Sequence, residues 1–561
     1  MVQFTDTYDE RLLDEVRAAF EDLLHEDVNS VDALEKWLYR ESELLLEVRE
    51  LVKWAIIWFR GHTNDVERKA QHDFVQTRLQ PLIGDYQAQL DEAFHRNPVR
   101  HQLNVDRYER YATLKGSNLA LFRQENLPLE SREQELIAVY YTVIGRVTVP
   151  WERKQITLAK AEALARQADR TIRERAWRAE RTAMLAVKPE LDVILTDLVR
   201  VRHEIAVNAG FDNYRDYIFQ KKHREYGRGD CKVFHESIRR HVVPLQNELC
   251  RNQQQRLGIA TYRPWDDGTS DRPVPRFQHS GEVLAAAVRV LDRAAAPVAQ
   301  LLRQLRNGGL LDLENRDHKA PGGFNTSFYT NGLSYIFMNL APTHTALSGL
   351  IHEMGHAFHN HVANTERLIL YRELPMEAAE LASHTMELFC LDKFGEVYED
   401  AADQHSIIRA RLTNTVRLLT HVAVIDQFQH WLYEHPQHTI EDRDAEYRRI
   451  RLELSGSYID WDGVELEMSA DWLGILHIFN YPFYFIEYGI AELGAQQLWQ
   501  AYRNDPDGTL ERYKSALALG NSRPLMKIFE TAGIRFDFSE GQVLNTMAFV
   551  REHLERSRSN S

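Results

Sequence analysis

The run Ile351-His-Glu-Met-Gly-His-Ala-Phe-His359 sets two imidazoles four residues apart, with a carboxylate beside the first. On a helix, His352 and His356 project from one face about one turn apart. That spacing lets both rings reach a single Zn2+ at about 2.0–2.1 Å. Glu353 then stands where a general base for water is needed, the H-E-x-x-H arrangement of metallopeptidases. The five-residue pattern is only moderately specific by itself in a chain with 24 His and 83 Asp+Glu. A third protein ligand is therefore required. His359 lies on the same face, but seven residues beyond His352 is about 10.5 Å along the axis, too far for one ion. A later segment offers better donors. Pro375 falls where a first helical position is expected, and Glu377, Glu380, His384 and Glu387 follow at i, i+3, i+7 and i+10 among apolar residues. Such a stripe is either a solvated helix face or the source of a third ligand and of groups that orient ligands.

These donors need rigid carriers. Residues 347–358 contain no Pro, follow Thr343 as an N-cap, and are apolar at Leu347, Leu350, Ile351 and Met354, which predicts a helix. Gly355 costs about 1 kcal/mol relative to Ala there, so a close backbone or ligand approach is expected. Residues 317–339 are the most strand-like in the chain. Pro321-Gly-Gly-Phe-Asn325 and Asn331-Gly332 supply turns, and Leu333-Ser-Tyr-Ile-Phe-Met-Asn339 is aromatic and β-branched. That strand suits either an edge for addition of an extended peptide or a buried sheet element. The first two hundred residues look like helix after helix, with apolar residues at three- and four-residue steps over 159–185. No repeat of fixed period is present. The predicted organisation is an N-terminal helical domain over 1–195, a catalytic domain over 196–548 and a frayed tail over 549–561. The predicted fold is mainly α, with a small sheet beside the H-E-x-x-H helix.

Composition narrows the function. The chain has 561 residues, 68 Lys+Arg against 83 Asp+Glu and a formal charge of −15. That balance argues against a dedicated nucleic-acid binder, which needs a basic stripe. Cys231, Cys250 and Cys390 are too few and too spread for a disulfide framework, which favours a reducing compartment. The first residues lack the basic and apolar regions of a signal peptide, and no apolar run approaches the ~18 residues of a membrane span. A cytoplasmic protein without membrane or nucleic-acid partners is expected. No oligomeric state is specified.

The run 319–388 resembles the oligoendopeptidase F branch of the thimet-oligopeptidase-like zinc metallopeptidases. The shared features are Gly322-Gly323, Ile336-Phe-Met-Asn339, His352-Glu-Met-Gly-His-Ala-Phe-His359 and Ala379-Glu-Leu-Ala-Ser383. Gly210-Phe-Asp-Asn-Tyr-Arg-Asp-Tyr217 and Arg263-Pro-Trp-Asp266 extend the similarity over most of 200–545, whereas the first 190 residues match only in helical character. The resemblance implies one Zn2+ held by His352, His356 and Glu380, with Glu353 as general base. It implies Glu387, Glu377 and His359 as outer partners, and Gly322, Gly323, Ser334, Tyr335 and Phe337 as contacts for substrate backbone. Trp472-Leu-Gly-Ile-Leu-His477 and the following Tyr481, Tyr484 and Tyr488 match a family segment whose phenols face the scissile carbonyl; a phenol can donate to a developing oxyanion. Phe483, Phe485 and Ile486 depart from that pattern where relatives often carry Tyr, so the choice among the three tyrosines stays open. Two helical halves enclosing a deep substrate cleft, short unstructured peptides as substrates and internal cleavage by water activated at Glu353 complete what the resemblance implies. The alternatives are a peptidyl dipeptidase of the angiotensin-converting-enzyme type, which also has H-E-M-G-H, and a catalytically silent zinc-stabilised peptide-binding protein. Retention of Glu353 weighs against the last, since a structural site closes with a fourth protein ligand.

Overall fold

Helices build most of the chain, in keeping with only 27 Gly and 17 Pro. The computed structural model describes residues 4–5, 7–268, 274–320, 322–328 and 330–559. Pro321, part of the expected turn, residues 269–273 of the loop after Trp265, and the last two residues of the tail lie outside the described residues. The chain divides into two compact units, each assembled from three stretches: 1–122, 275–399 and 494–536, and then 123–274, 400–493 and 537–561. Position 195 lies inside the 39-residue helix Arg170–Asn208. A division built from separated stretches leaves no change of composition along the chain to mark it. Residues 549–559 continue the helix Glu540–Ser559.

In the first unit, the helix Val31–Gly61 buries Leu34, Leu38, Leu45, Val48 and Ala55 along one face. They share a core with Leu12, Val16 and Phe20 of the helix Glu10–Leu24. Two further helices carry the candidate chemistry: the histidine helix His344–Ala363 and the glutamate helix Met376–Leu391. Thr343 caps the histidine helix, its hydroxyl accepting from Ala346 N at 3.2 Å. Pro375 is the N-cap of the glutamate helix, one place earlier than expected, with extended ψ of 132°. The glutamate helix is buried on nearly every side, which removes the reading of its polar stripe as a solvated face.

The second unit contains a hairpin, β1 (Thr148–Trp151) with β2 (Lys154–Thr157), in a region expected to be wholly helical. The first unit contains β3 (Leu311–Glu314), β4 (Phe324–Phe328) and β5 (Leu333–Leu340) in the order β3-β5-β4. The strand expected at 333–339 is therefore central. It pairs parallel with β3 and antiparallel with β4, with Asn325 opposite Ile336 and Ser327 opposite Ser334. β5 is thus an interior strand and not the sheet edge that strand addition was expected to use: residues 333–337 pair with β4, and Ile336, Phe337 and Leu340 with β3. β3, Leu-Asp-Leu-Glu, is four residues long and owes its pairing to partners about 25 residues further along the chain, as in Leu311 with Ile336, so no local signal marks it.

Arg263-Pro-Trp-Asp266, matched by resemblance, is structural in the second unit. Asp266 is fully buried and accepts from Arg170 at 2.8 Å and Arg173 at 3.2 Å, while Trp265 packs near Trp177 and Trp461. No described helix is long and apolar enough to cross a membrane.

Candidate metal centre and tyrosine cluster

The histidine and glutamate helices pack so closely that a side chain on Gly355 has no room. A Cβ there would lie 2.5 Å from Ser383 Cα and 2.8 Å from Ala382 O. The glycine whose helical cost predicted a close approach is thus the contact point of the two helices. Tyr513 secures the same junction: its hydroxyl donates to Ala382 O at 2.8 Å and its ring stacks on Phe358. The sheet is tied to the histidine helix by Asn325 of β4, whose amide donates to the Glu353 carbonyl at 3.2 Å. Asn360 donates to Asn325 Oδ1 at 3.0 Å and to Ser334 Oγ at 3.2 Å. Asn325, Asn360 and Tyr513 were not anticipated. Only the register of β4 and the closeness of distant helices give them a role, and neither is written locally.

This packing brings together His352, His356 and Glu380, with one donor atom of each within 4.8 Å of the others. Glu380 Oε2 lies 3.7 Å from His352 Nε2 and 3.9 Å from His356 Nε2. Such separations suit three donors around one ion with bonds of about 2.0–2.1 Å after small adjustments. On its other side, the His352 ring donates from Nδ1 to Glu387 Oε1 at 2.7 Å, so Nε2 is the nitrogen turned towards Glu380, the one that an ion would take up in place of its proton. Ser383 Oγ lies 3.4 Å from Glu380 Oε2. His384 Nε2 is 3.9 Å from the same oxygen. Glu377 is buried one turn earlier on the glutamate helix.

Electrostatics follow from this clustering. Burial alone would lower the pKa of His352, but the hydrogen bond and charge of Glu387, with Glu380 and Glu353, raise it to about 9. The same concentration of negative charge favours any cation placed there. Burial lowers His356 to about 4 against the pull of Glu380, so this imidazole is neutral with a lone pair available. Burial raises Glu353 to about 7, the charge of His352 opposing and that of Glu380 adding. A carboxylate tuned to that range is matched to proton transfer near neutrality. His359 does not join the set. It is fully buried, neither ring nitrogen has a hydrogen-bond partner, and burial followed by the His356 charge lowers it to about 3. It fills the core and holds no ligand by a hydrogen bond.

The expected substrate-backbone contacts fare unevenly. Ser334 and Phe337 are buried within the central strand. Tyr335, opposite Thr326, is half-buried and meets Trp54 edge-on at 6.1 Å. Gly322, in the left-handed region with φ of 92°, and Gly323 lead into β4. A Cβ on Gly323 would lie 3.2 Å from Phe337 O.

The second unit gathers the aromatic segment. His477 lies on the short helix Leu476–Asn480, and the rings of Tyr484, Tyr488 and Tyr481 lie 5.2, 5.8 and 6.2 Å from it. Tyr488 Oη is 3.4 Å from His477 Nε2, whereas Tyr481 is half exposed. The turn before the helix Phe485–Asn504 is held by Phe483, fully buried with φ of 61°. Its N–H donates to Gln429 at 2.8 Å and its carbonyl accepts from Arg224. Glu487, also buried, pairs with Lys222 and Arg224 at 2.7 Å each. Phe483, Phe485 and Ile486 are all core residues, so the departures from the expected tyrosine pattern fall on buried positions.

The model of Peptidase family M3 matches residues 163–548. An "Oligoendopeptidase F homolog" of Lactococcus lactis subsp. lactis (strain IL1403) is 21% identical over 310 residues, covering 55% of this chain and 51% of the relative. The chromosomal oligoendopeptidase F of Lactococcus lactis subsp. cremoris is 20% identical over 309 residues, with the same coverage of 55% and 51%. The matched part of the chain thus spans about half the length of these curated relatives. The solved structure "PZ peptidase A with inhibitor 2" has the same fold, with a TM-score of 0.90 at 22% identity over 99% of this chain and 98% of that one.

Proposed function

The chain belongs to peptidase family M3, and from that premise we propose that it is a zinc-dependent endopeptidase hydrolysing internal bonds of short unstructured peptides. The observation that carries the reading is the convergence of His352, His356 and Glu380 within 4.8 Å, with Glu353 on the same helix. Two imidazoles and one carboxylate fit Zn2+ and leave a coordination position open, the mark of a catalytic rather than a structural site. The ion supplies Lewis acidity to the scissile carbonyl and to a water molecule. Glu353 takes the proton of the attacking water on its carboxylate and returns it to the leaving amine. Glu387 holds the His352 ring in the tautomer that frees Nε2. Tyr488, paired with His477, donates to the developing oxyanion. Two curated relatives named oligoendopeptidase F support internal cleavage over dipeptide trimming. The cytoplasm is the proposed location.

A quenched fluorescent peptide blocked at both ends tests this directly. Wild type is expected to cut it internally, and Glu353→Gln to keep its metal while losing nearly all cleavage. Cleavage confined to peptides with a free C-terminal carboxylate would indicate a peptidyl dipeptidase. A Glu353→Gln variant that cleaves normally would falsify the general-base role.

A further inference from the structure

In the second unit, two helices each carry a pair of potential ligands at helical spacing. The helix Arg228–Ser237 has Cys231 and His235, and the helix Ala401–Glu434 has Asp426 and His430. Members of each pair stand four residues apart and so share a face, and the two faces meet. One donor atom from each of Cys231, Asp426 and His430 lies within 4.8 Å of the others, and all three residues are buried. His235 Nε2 lies 2.8 Å from Asp426 Oδ2.

The remaining polar atoms at this point are unsatisfied. Asp426 Oδ1 and both ring nitrogens of His430 have no hydrogen-bond partner. His430 Nε2 is 3.4 Å from Asp426 Oδ2 without the alignment of a hydrogen bond. Cys231 is in no disulfide. Buried polar atoms are nearly always partnered, so three orphaned atoms converging beside a buried thiol call for a missing partner. Aromatic rings wall the spot, with Phe483 5.2 Å and Phe219 5.9 Å from the His430 ring.

We propose that Cys231, Asp426 and His430 bind a second Zn2+ that clamps the two helices together, with His235 positioning the Asp426 carboxylate from outside. One thiolate, one carboxylate, one neutral imidazole and a divalent ion sum to zero charge, so the loaded site can be buried. Thiolate with imidazole is a donor set that zinc accepts readily. On binding, the Cys231 thiol loses its proton to solvent and nothing is oxidised or reduced. A cavity of about 340 Å³, lined in part by His235 and His430, borders the site. This site is separate from the His352–His356–Glu380 set, which contains no sulfur donor.

That difference makes Co2+ the discriminating probe. The full-length chain reconstituted with Co2+ is expected to bind two ions and to show a thiolate-to-cobalt charge-transfer band. In the His352→Ala/His356→Ala double variant, one ion and the full band are expected to remain. Cys231→Ser is expected to lose the band and one ion. If that variant fails to fold, the wild type and the double variant still decide. Absence of the thiolate band from the wild type, or its persistence in Cys231→Ser, overturns the proposal.

Discussion

His352 Nδ1 lies 2.7 Å from Glu387 Oε1 while Nε2 of the same ring lies 3.7 Å from Glu380 Oε2. One glutamate thus fixes the ring from behind and another stands in front of it, both on one helix. Glu387→Gln keeps an acceptor for Nδ1 but removes the charge. Loss of such an outer partner typically weakens metal affinity by about 10–100-fold. Competition with a chelator should show a weakening in that range with the far-UV circular dichroism unchanged. An unaltered affinity would mean that Glu387 does not tune the site.

Gly355→Ala inverts an ordinary rule. Replacing a helical Gly by Ala normally stabilises by about 1 kcal/mol. Here the new methyl meets Ser383 Cα at 2.5 Å and Ala382 O at 2.8 Å, both backbone atoms that cannot rotate away. A destabilisation of about 2 kcal/mol is expected from overpacking, read as a lower unfolding temperature together with weakened metal retention. A variant more stable than wild type would show that the helices have slack between them.

Much of this centre was legible in the sequence for a physical reason. His352, His356 and Glu353 lie within about one turn of helix, so their mutual placement follows from helical geometry alone. Glu380 and Glu387 follow the same logic on a second helix, and only the closeness of the two helices needed the fold; Gly355 hinted at that by its cost. The role of β5 was not legible, because an aromatic, β-branched run looks alike at the edge and at the centre of a sheet. The division into units was equally hidden, since residues 1–122, 275–399 and 494–536 come together only through long-range packing.

Tyr513→Phe tests the brace behind the metal centre. The substitution deletes the hydroxyl that donates to Ala382 O at 2.8 Å and keeps the ring stacked on Phe358. A loss of about 1 kcal/mol is the usual net worth of such a bond. Chemical denaturation should show that loss, with KM unchanged because Tyr513 is buried beneath the helices. A shift in KM without a shift in stability would place Tyr513 in substrate contact instead.

Acid should weaken the start of the histidine helix through His344. Burial lowers its pKa from 6.5 to about 4. Its ring nitrogens face Tyr398 Oη at 3.1 Å and Ser348 Oγ at 3.3 Å, with the Phe394 ring edge-on. Above pH 6.5 the ring is neutral in folded and unfolded chains alike. Between 6.5 and 4 the unfolded chain takes up a proton that the folded chain refuses, so stability falls as pH falls and levels off below about 4. Wild type should therefore lose about 2 kcal/mol more than His344→Gln between pH 7 and pH 4, allowing for partial solvent access. Urea titrations of both proteins at several pH values would measure the gap. Parallel pH curves would remove His344 as the cause.

The three tyrosines should separate by their kinetics. Tyr488 Oη is 3.4 Å from His477 Nε2, so its hydroxyl is oriented by a second polar group, a condition for preorganised donation to an oxyanion. Tyr481 is half exposed and its ring is the farthest of the three from His477, at 6.2 Å. Lys222 Nζ stands 5.2 Å over the Tyr484 ring, which ties that side chain to the buried Glu487 cluster. Loss of one oxyanion donor typically costs about 10²–10³ in kcat. Tyr488→Phe is expected to lower kcat by about 10²-fold with KM little changed, and Tyr481→Phe to leave both within a few-fold. Tyr484→Phe keeps the ring under Lys222 and should leave both stability and kcat close to wild type. A large fall in kcat for Tyr481→Phe with none for Tyr488→Phe would reverse the assignment and give the exposed phenol the chemical role.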